Sequence, residues 1–228
     1  MMKQLIERQN REVQSREVQS RPAWYTPHFH IRTDSYVLLA ALLNDTPSEV
    51  VMELVQNLHW DEDLPESMDE ALAALSRAGR TCPVDTIAEE YYRLFVGLGS
   101  GELLPYGSWY REKMIQSAPL AAIRSDLARL GIVRQADCFE PEDHAGVLCE
   151  IMALLSFPAN EIPDHEQAAF FDRHLGPWLP QFFKDLQAVE KSEFYRTVGA
   201  FGCCFIAGEI DYLRNHLMRA GLEPAPTL

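Results

Sequence analysis

The chain has few basic residues, and it has no long apolar run. Its 228 residues include 20 Lys and Arg against 34 Asp and Glu, which gives a formal net charge of -14. This charge repels phosphate backbones and anionic lipid headgroups, so nucleic acids and membrane surfaces are poor partners. No stretch approaches the roughly 20 apolar residues of a membrane-spanning helix, and the first residues lack the apolar core of a signal peptide. We therefore expect a cytoplasmic protein without stable membrane insertion.

The spacings of common catalytic and metal sites are also missing. There is no Gly-x-Ser-x-Gly nucleophile elbow and no His-Glu-x-x-His zinc motif, and Asp143-His144 reverses the His-Asp order of metal-dependent phosphohydrolases. The glycines at 97, 99 and 101 follow a predicted helix and precede no Gly-Lys-Ser/Thr, unlike those of a phosphate-binding loop. We predict no catalytic residue and no metal site.

The cysteines do not have the spacing of a disulfide framework. They are an odd set of five without a Cys-x-x-Cys pair, which fits a reducing compartment. We predict that they are small core residues: Cys82, Cys138, Cys149, Cys203 and Cys204.

Helical signals are frequent along the chain. Residues 35–43 are apolar nearly all round, and residues 46–49 have the order of an N-cap (Thr46), a first-turn proline and a capping-box glutamate. Pro65 and Pro83 are placed to open two helices, and later helices are predicted at about 119–130, 141–156, 164–175, 178–190 and 193–219. No segment alternates with a period of two. We predict an all-α single globular domain of about ten helices, or two helical subdomains joined near residues 140–144.

The two ends of the chain differ from the part between them. Residues 11–15 and 16–20 are the same pentapeptide, Arg-Glu-Val-Gln-Ser, and this five-residue period leaves no single apolar face on a helix. We predict a mobile or helical arm at 1–21, a helical domain at 22–222 and a disordered tail at 223–228.

The segment 97–110 is unusually apolar for a loop. The helix before it places Tyr91, Leu94 and Phe95 at helical spacing, so its buried face runs into the segment. Two explanations are open for the apolar residues of the segment: they pack onto the domain, or they form one wall of an apolar groove. These residues are Leu103, Leu104, Pro105, Tyr106, Trp109 and Tyr110.

The second informative segment is residues 140–144, Glu-Pro-Glu-Asp-His. Pro141 fits the first position of a helix, and Glu142 and Asp143 favour the positive end of the helix dipole. His144 begins the apolar stripe of this helix, which continues through Val147, Leu148, Ile151, Met152 and Leu155. We place His144 at the rim of that face, either as a hydrogen-bonded structural residue or as part of a site.

Together these segments resemble the signature of the TorD/DmsD family of redox-enzyme maturation chaperones. The resemblance rests on residues 92–97 (Tyr-Arg-Leu-Phe-Val-Gly) leading to 105–110 (Pro-Tyr-Gly-Ser-Trp-Tyr), and on 140–144. Residues 174–179 with 194–196 are similar to the C-terminal part of the family, so the resemblance covers residues 34–218. Several relatives have tryptophan where this chain has Gly99 and Tyr106, which leaves the preferred peptide open.

The resemblance implies an all-helical chaperone of anaerobic respiration that binds the twin-arginine leader of a molybdopterin-dependent reductase. Binding delays export of the catalytic subunit until its cofactor has been inserted. By position, the implied peptide-binding residues form two walls. The first contains Tyr91, Leu94, Phe95, Pro105 and Tyr106, with Trp109 and Tyr110 beside it, and the second contains Glu140, Pro141, Asp143 and His144.

The charge pattern agrees with this implication. A twin-arginine leader has a basic segment followed by an apolar one, so its receptor needs acidic groups beside an apolar groove. The alternatives are a NarJ-like chaperone of a reductase that stays in the cytoplasm and a helical cofactor-binding protein. The resemblance also implies no resident cofactor, weak GTP binding in some members, and a monomer or a domain-swapped dimer.

Overall fold

The computed structural model describes residues 27–58, 64–97, 101–115, 117–133 and 140–219. These residues form ten α-helices and contain no β-strand, which confirms the all-α prediction. The helices are α1 Pro27–Leu43, α2 Glu49–Gln56, α3 Glu66–Thr81, α4 Val84–Tyr91, α5 Gly107–Glu112, α6 Ala118–Arg129, α7 Ala145–Ser156, α8 Asp164–His174, α9 Leu179–Ala188 and α10 Phe194–Arg219. A π-helical turn, Tyr92–Val96, continues α4, and a 3-10 turn, Pro158–Asn160, follows α7. The predicted arm at 1–21 and tail at 223–228 lie outside the described residues.

Helix α10 is the centre of the packing. Helices α9, α3 and α8 lie against it, and α1 lies against α7. The approach of α9 depends on a glycine, because a Cβ at Gly202 would overlap the ring of Phe183. One cluster of buried apolar side chains passes through these helices and includes the fully buried Trp178, Tyr36 and Phe201. The described helices therefore share one core.

The helix starts follow the sequence signals with one shift. Pro65 and Pro83 directly precede α3 and α4, as predicted from the fixed backbone angle of proline. Helix α2 begins two residues later than predicted, because Ser48 rather than Thr46 is its N-cap. The Ser48 hydroxyl accepts a hydrogen bond from the Val51 amide at 3.4 Å, which satisfies one of the free amides of the first turn.

Two segments that the sequence pattern singled out have a different local structure from the one predicted. The helix predicted from residue 141 begins at Ala145, because residues 140–144 make a turn and His144 is the N-cap. The segment 97–110, expected to be a loop, ends in α5. A Cβ at Gly107 would lie 2.9 Å from Nε1 of Trp178, so α5 can start this close to the core only with a glycine.

The cysteine prediction is confirmed for two of the five positions. Cys82 and Cys149 are buried, and Cys203 and Cys204 are half-buried on α10. Burial raises the pKa of the Cys149 thiol, which therefore stays protonated and packs as a small apolar group. Cys138 lies outside the described residues.

A buried carboxylate fixes α4 to the start of α10. Glu90, near the end of α4, accepts hydrogen bonds from Ser192 Oγ at 2.6 Å and from the amides of residues 193, 194 and 195 at 2.8, 3.2 and 3.1 Å. The first amides of a helix have no partner within it, and a carboxylate also matches the positive end of the helix dipole. Glu90 thereby sets the position of Tyr91 and of the π-helical turn after it.

Replacement of this carboxylate should destabilise the whole domain. Glu90→Ala should lower the free energy of unfolding by about 2 kcal/mol or more, because it leaves buried donors at the start of α10 unpaired. Denaturant titration measures the change. Glu89→Ala, at the exposed neighbouring position of the same helix, is the control and should stay within about 0.5 kcal/mol of the parent. Equal losses in both variants would contradict the capping role.

Candidate functional site

Two backbone hydrogen bonds join the segments that the sequence pattern singled out. The Gly107 amide donates to the Asp143 carbonyl at 2.8 Å, and the Ala145 amide donates to the Pro105 carbonyl at 2.7 Å. These bonds form an isolated antiparallel bridge between residues 106 and 144. The structure therefore brings one end of each predicted wall into direct contact.

Asp143 ties this bridge to α5. Its Oδ2 accepts a hydrogen bond from the Ser108 amide at 2.9 Å, and the residue is fully buried. The sequence pattern assigned this carboxylate to the start of α7, whereas the structure places it at the start of α5. Its other oxygen, Oδ1, has no hydrogen-bond partner among the described residues. Asp143 therefore has a structural bond on one side and a buried, unpaired acceptor on the other.

Tyr106 lies between Glu140 and His144. Its hydroxyl donates to Glu140 Oε2 at 2.8 Å, and its ring meets the His144 ring edge to face with centroids 5.2 Å apart. Burial raises the pKa of Tyr106, and the hydrogen bond to Glu140 raises it further. At neutral pH the hydroxyl is therefore a donor, and the half-buried ring joins the two walls.

His144 is buried and neutral at the end of α7. Its Nδ1 accepts a hydrogen bond from the Gly146 amide at 3.2 Å, so the proton of the neutral ring is on Nε2. Burial lowers the pKa of His144 to about 4, and this effect outweighs the neighbouring charge of Asp143, which raises it. The position at one end of the apolar face agrees with the prediction, but the side chain is 4% exposed rather than at an open rim.

The first wall is built by α4 and the π-helical turn. The Tyr91 ring packs against Phe95 with centroids 5.2 Å apart, and Phe95 packs against Tyr195 at 5.3 Å. Tyr91 is buried and Phe95 is half-buried, whereas Leu94 is completely buried and belongs to the core. Of these three predicted residues, Phe95 has the most surface available to a ligand.

The π-helical turn presents two apolar side chains that sequence analysis did not select. The Gly97 amide donates to the Tyr92 carbonyl at 2.7 Å, which closes the wider turn. Tyr92 is 57% exposed and Val96 is 50% exposed, and their spacing of four places them on one side of the turn. The apolar run 94–96 was the available signal, but it did not show which side would face outward.

The charges of three carboxylates raise the pKa values of the two tyrosines of the site. Burial raises the pKa of Tyr91, and the charges of Asp45 and Glu140 raise it further. The charge of Asp143 adds to the effects of burial and of Glu140 on the pKa of Tyr106. Tyr91 also contributes to that shift, so both tyrosines share one acidic environment. Asp45, an exposed residue in the turn after α1, was not predicted from the sequence.

Two residues of the predicted set lie apart from this environment. The Tyr110 hydroxyl donates to Asp185 Oδ2 at 2.8 Å, and its ring packs on Trp178 with centroids 5.5 Å apart. Tyr110 therefore docks α5 on α9. Trp109 is half-buried, and the Lys113 ammonium lies 5.6 Å from its ring centroid.

The turn before α7 is closed by its own residues and tied to α6. The Pro141 carbonyl accepts a hydrogen bond from the His144 amide at 3.0 Å. Glu142 accepts hydrogen bonds from Arg124 Nε at 3.0 Å and Nη2 at 2.9 Å. The ion pair ties this turn to α6.

Comparison with known proteins points to the same family that the segments of the bridge resemble. Residues 61–184, more than half of the chain, match the family described as nitrate reductase delta subunit. The chain is 29% identical over 178 residues to the Tat proofreading chaperone DmsD of Salmonella typhi, covering 77% of this chain and 78% of that one. It is 25% identical over 169 residues to the chaperone protein TorD of Vibrio cholerae, covering 70% and 77%. The chain belongs to the TorD/DmsD family of redox-enzyme maturation chaperones.

The fold is shared with a solved structure of similar size. A crystal structure of a candidate redox enzyme maturation protein from Archaeoglobus fulgidus matches with a TM-score of 0.55 at 19% identity, covering 83% of this chain and 99% of that one. In the part of this TorD/DmsD family member that the structure describes, no helix has the length and apolar character needed to cross a membrane. The same ranges contain no group of three His, Cys, Asp or Glu side chains placed to hold a metal ion.

The acid stability of this TorD/DmsD family member should depend on His144. Its pKa is 6.5 as an ordinary histidine and about 4 in the folded chain. Between these values only the unfolded chain takes up the proton, so stability that is present above pH 6.5 is lost as the pH falls toward 4, at up to about 1.4 kcal/mol per pH unit. Replacement by an asparagine, His144→Asn, keeps an acceptor for the Gly146 amide and removes this titration.

The measurement is the free energy of unfolding of both proteins, from denaturant titrations between about pH 7 and 4. The His144→Asn profile should fall less steeply than the parent profile. Burial also lowers the pKa of His174, but this residue titrates in both proteins and cancels in their difference. Parallel profiles would show that His144 is not neutral in the folded chain.

Proposed function

We propose that the chain binds the twin-arginine leader of a molybdopterin-dependent reductase and holds the catalytic subunit in the cytoplasm until its cofactor is inserted. The observation that supports this most is the bridge between residues 106 and 144, because it collects acidic and aromatic side chains in one place. Family membership supports the chaperone class, and the geometry of the site supports the ligand class.

The acidic part of the site suits the basic segment of a leader. Glu140 is half-buried beside Tyr106, Asp45 is exposed beside Tyr91, and Asp143 keeps an acceptor without a partner among the described residues. Charge-assisted hydrogen bonds between guanidinium and carboxylate groups are stronger than neutral ones and have a defined geometry. Arginine side chains of the leader therefore meet negative charge here, with the carboxylates of Asp45 and Glu140 within reach of solvent.

The apolar part of the site suits the segment that follows the arginines. Tyr92 and Val96 are exposed on the π-helical turn, and Phe95 lies half-buried between them along the chain. An apolar helix or extended segment laid on this surface would remove it from water. Tyr91, in the preceding helix, has acidic neighbours and also contacts Phe95.

The protonation states at the bridge favour binding over proton transfer. A general acid or base works best when its pKa is close to the working pH. Burial instead lowers the pKa of His144 to about 4 and raises that of Tyr106 above its ordinary value. At neutral pH both side chains hold their protons firmly in fixed states and serve as oriented donors, as a binding site requires.

A second function is favoured by the matched family description, nitrate reductase delta subunit. It is that of a NarJ-like chaperone whose client reductase stays in the cytoplasm. Titration with a leader peptide separates the two, because only the first function requires its recognition. Weak GTP binding and a domain-swapped dimer stay predictions of the family resemblance.

The purified chain should bind a synthetic twin-arginine leader, with an affinity that falls as the salt concentration rises. Part of the attraction is between exposed carboxylates and arginines, which salt screens. Calorimetric titration at low and high salt measures both effects. A scrambled peptide of the same composition is the control, because it keeps the charge and loses the order of the segments. Equal binding of the two peptides would contradict leader recognition.

Glu140 and Glu142 form a matched pair for locating the site, because they share one turn and their replacement changes the charge equally. Glu140→Gln should weaken leader binding by about tenfold or more, since it removes the charge beside Tyr106. Glu142→Gln removes the ion pair with Arg124 and should leave the affinity within about twofold.

Thermal melts of the same samples separate binding from folding. Asp143→Asn is a less specific test, because Asp143 also caps α5 and its replacement should reduce both stability and affinity. If Glu142→Gln weakened binding as much as Glu140→Gln, the total charge rather than the bridge would be responsible.

A further inference from the structure

The outward side of α2 carries acidic and apolar side chains together. Glu49 and Glu53 are exposed, Val50 is 58% exposed and Leu54 is 54% exposed. Residues three or four apart lie on one side of a helix, so these four side chains form a single surface, the outer face of α2. The buried residues of the helix lie on its other side. Two large apolar side chains are thus left in water beside two carboxylates.

The outer face of α2 lies in a long stretch without basic residues. Residues 33–76 contain ten Asp and Glu and no Lys or Arg. The neighbouring helix α3 adds three exposed carboxylates, those of Glu66, Asp69 and Glu70. Among the described residues, no basic side chain forms an ion pair with the exposed carboxylates of these two helices. Arg80, near the end of α3, donates to the Gln56 carbonyl at 2.6 Å instead.

The predicted arm at 1–21 carries the opposite charge. It contains five Lys and Arg against three Glu, so its net charge is +2 while the rest of the chain carries -16. Its apolar residues stand among the basic ones, since Val13 follows Arg11 and Val18 follows Arg16 by two positions in the repeated pentapeptide. The arm and the outer face of α2 are therefore complementary in charge, and both contain apolar side chains.

The arm is long enough to reach this face. The 17 residues of α1 span about 25 Å at 1.5 Å per residue, and α2 begins six residues after α1 ends. Residues 16–26 alone can extend over about 36 Å, so the second copy of the pentapeptide can lie beyond the far end of α1. An attached segment has an effective concentration of about millimolar. It can therefore occupy a face whose two exposed apolar side chains are too few for a stable interface between separate molecules.

We propose that the arm at 1–21 docks on the outer face of α2 in its own chain, with basic side chains beside Glu49 and Glu53 and apolar ones over Val50 and Leu54. Docking removes the two apolar side chains from water and neutralises part of the surrounding charge. A second copy of the chain is a poorer occupant, because its net charge of -14 opposes approach to an acidic face. The face contains none of the residues of the proposed leader site, so docking of the arm does not require leader binding.

The test is photo-cross-linking in the full chain at low protein concentration, with a benzophenone amino acid in place of Leu54. Mass spectrometry of the monomer band should show residue 54 joined to residues 1–21, with a yield that falls as salt screens the charges. The control carries the same amino acid in place of Met114, which is 61% exposed but lies close in sequence to the exposed Arg111 and Lys113. There the yield with residues 1–21 should be lower by about fivefold or more.

Charge reversal tests the same contact through the carboxylates. Glu49→Lys with Glu53→Lys should lower the yield at residue 54 by about fivefold or more, because repulsion replaces attraction. Asp85→Lys with Glu89→Lys is the matched control, since these exposed carboxylates are also four residues apart on one helix, α4, and the net charge changes equally. This control should leave the yield within about twofold of the parent.

A benzophenone in place of Val50 should give the same product as one in place of Leu54, which guards against a local effect of a single substitution. Thermal melts of each protein show that it is folded. The absence of a product containing residues 1–21 overturns the docking, and so does a cross-link between two chains in its place. Equal yields at residues 54 and 114, or equal losses in the two charge-reversal pairs, overturn it as well.

Discussion

The bridge between residues 106 and 144 is the interaction on which the geometry of the site depends. It lies immediately before α5 and immediately before α7, where each helix has amides without intrahelical acceptors. Each segment supplies what the other lacks: the Pro105 carbonyl accepts from the Ala145 amide, and Asp143 accepts through its carbonyl and its carboxylate from the first amides of α5. Both helices are thereby held in position by one short contact, and the side chains of Tyr106 and His144 have little freedom to move apart.

Two polar networks of the core are well paired, unlike the buried Asn44 Oδ1 and Thr46 Oγ1 of the turn at 44–46. Arg32, buried between α1 and α10, donates to both Glu209 oxygens at 2.8 and 2.6 Å, and the Tyr36 hydroxyl donates to the same carboxylate at 3.0 Å. Glu90 likewise receives four donors at the start of α10. Satisfied networks of this kind make the scaffold rigid. A rigid scaffold keeps the surrounding helices from rearranging to pair the buried acceptors of the turn and the bridge, which have no hydrogen-bond partner among the described residues.

The sequence was sufficient for the helices and insufficient for the contacts between them. Apolar spacing is a local property, and it located α8, α9 and α10 to within two residues at each end. The error at 140–144 has a non-local cause, since this segment exchanges hydrogen bonds with residues 105–107 instead of opening α7. Asp143 was assigned to the nearest helix start in sequence, whereas its partner, Ser108, is 35 residues away. Asp45 carried no motif, and its charge acts on Tyr91 from the turn after α1, a relation that local sequence does not show.

The electrostatics of the bridge explain why acidic side chains must surround it. Two helix starts meet there, and each carries about half a positive charge, which alone would favour an anion. Asp45, Glu140 and Asp143 bring three negative charges to the same place, so the sum is about -2 after the two dipoles are counted. Asp143 also occupies amides of α5 that an anion would otherwise use. The balance that remains is negative, so the same contact that fixes the two helices leaves an environment that favours positive charge.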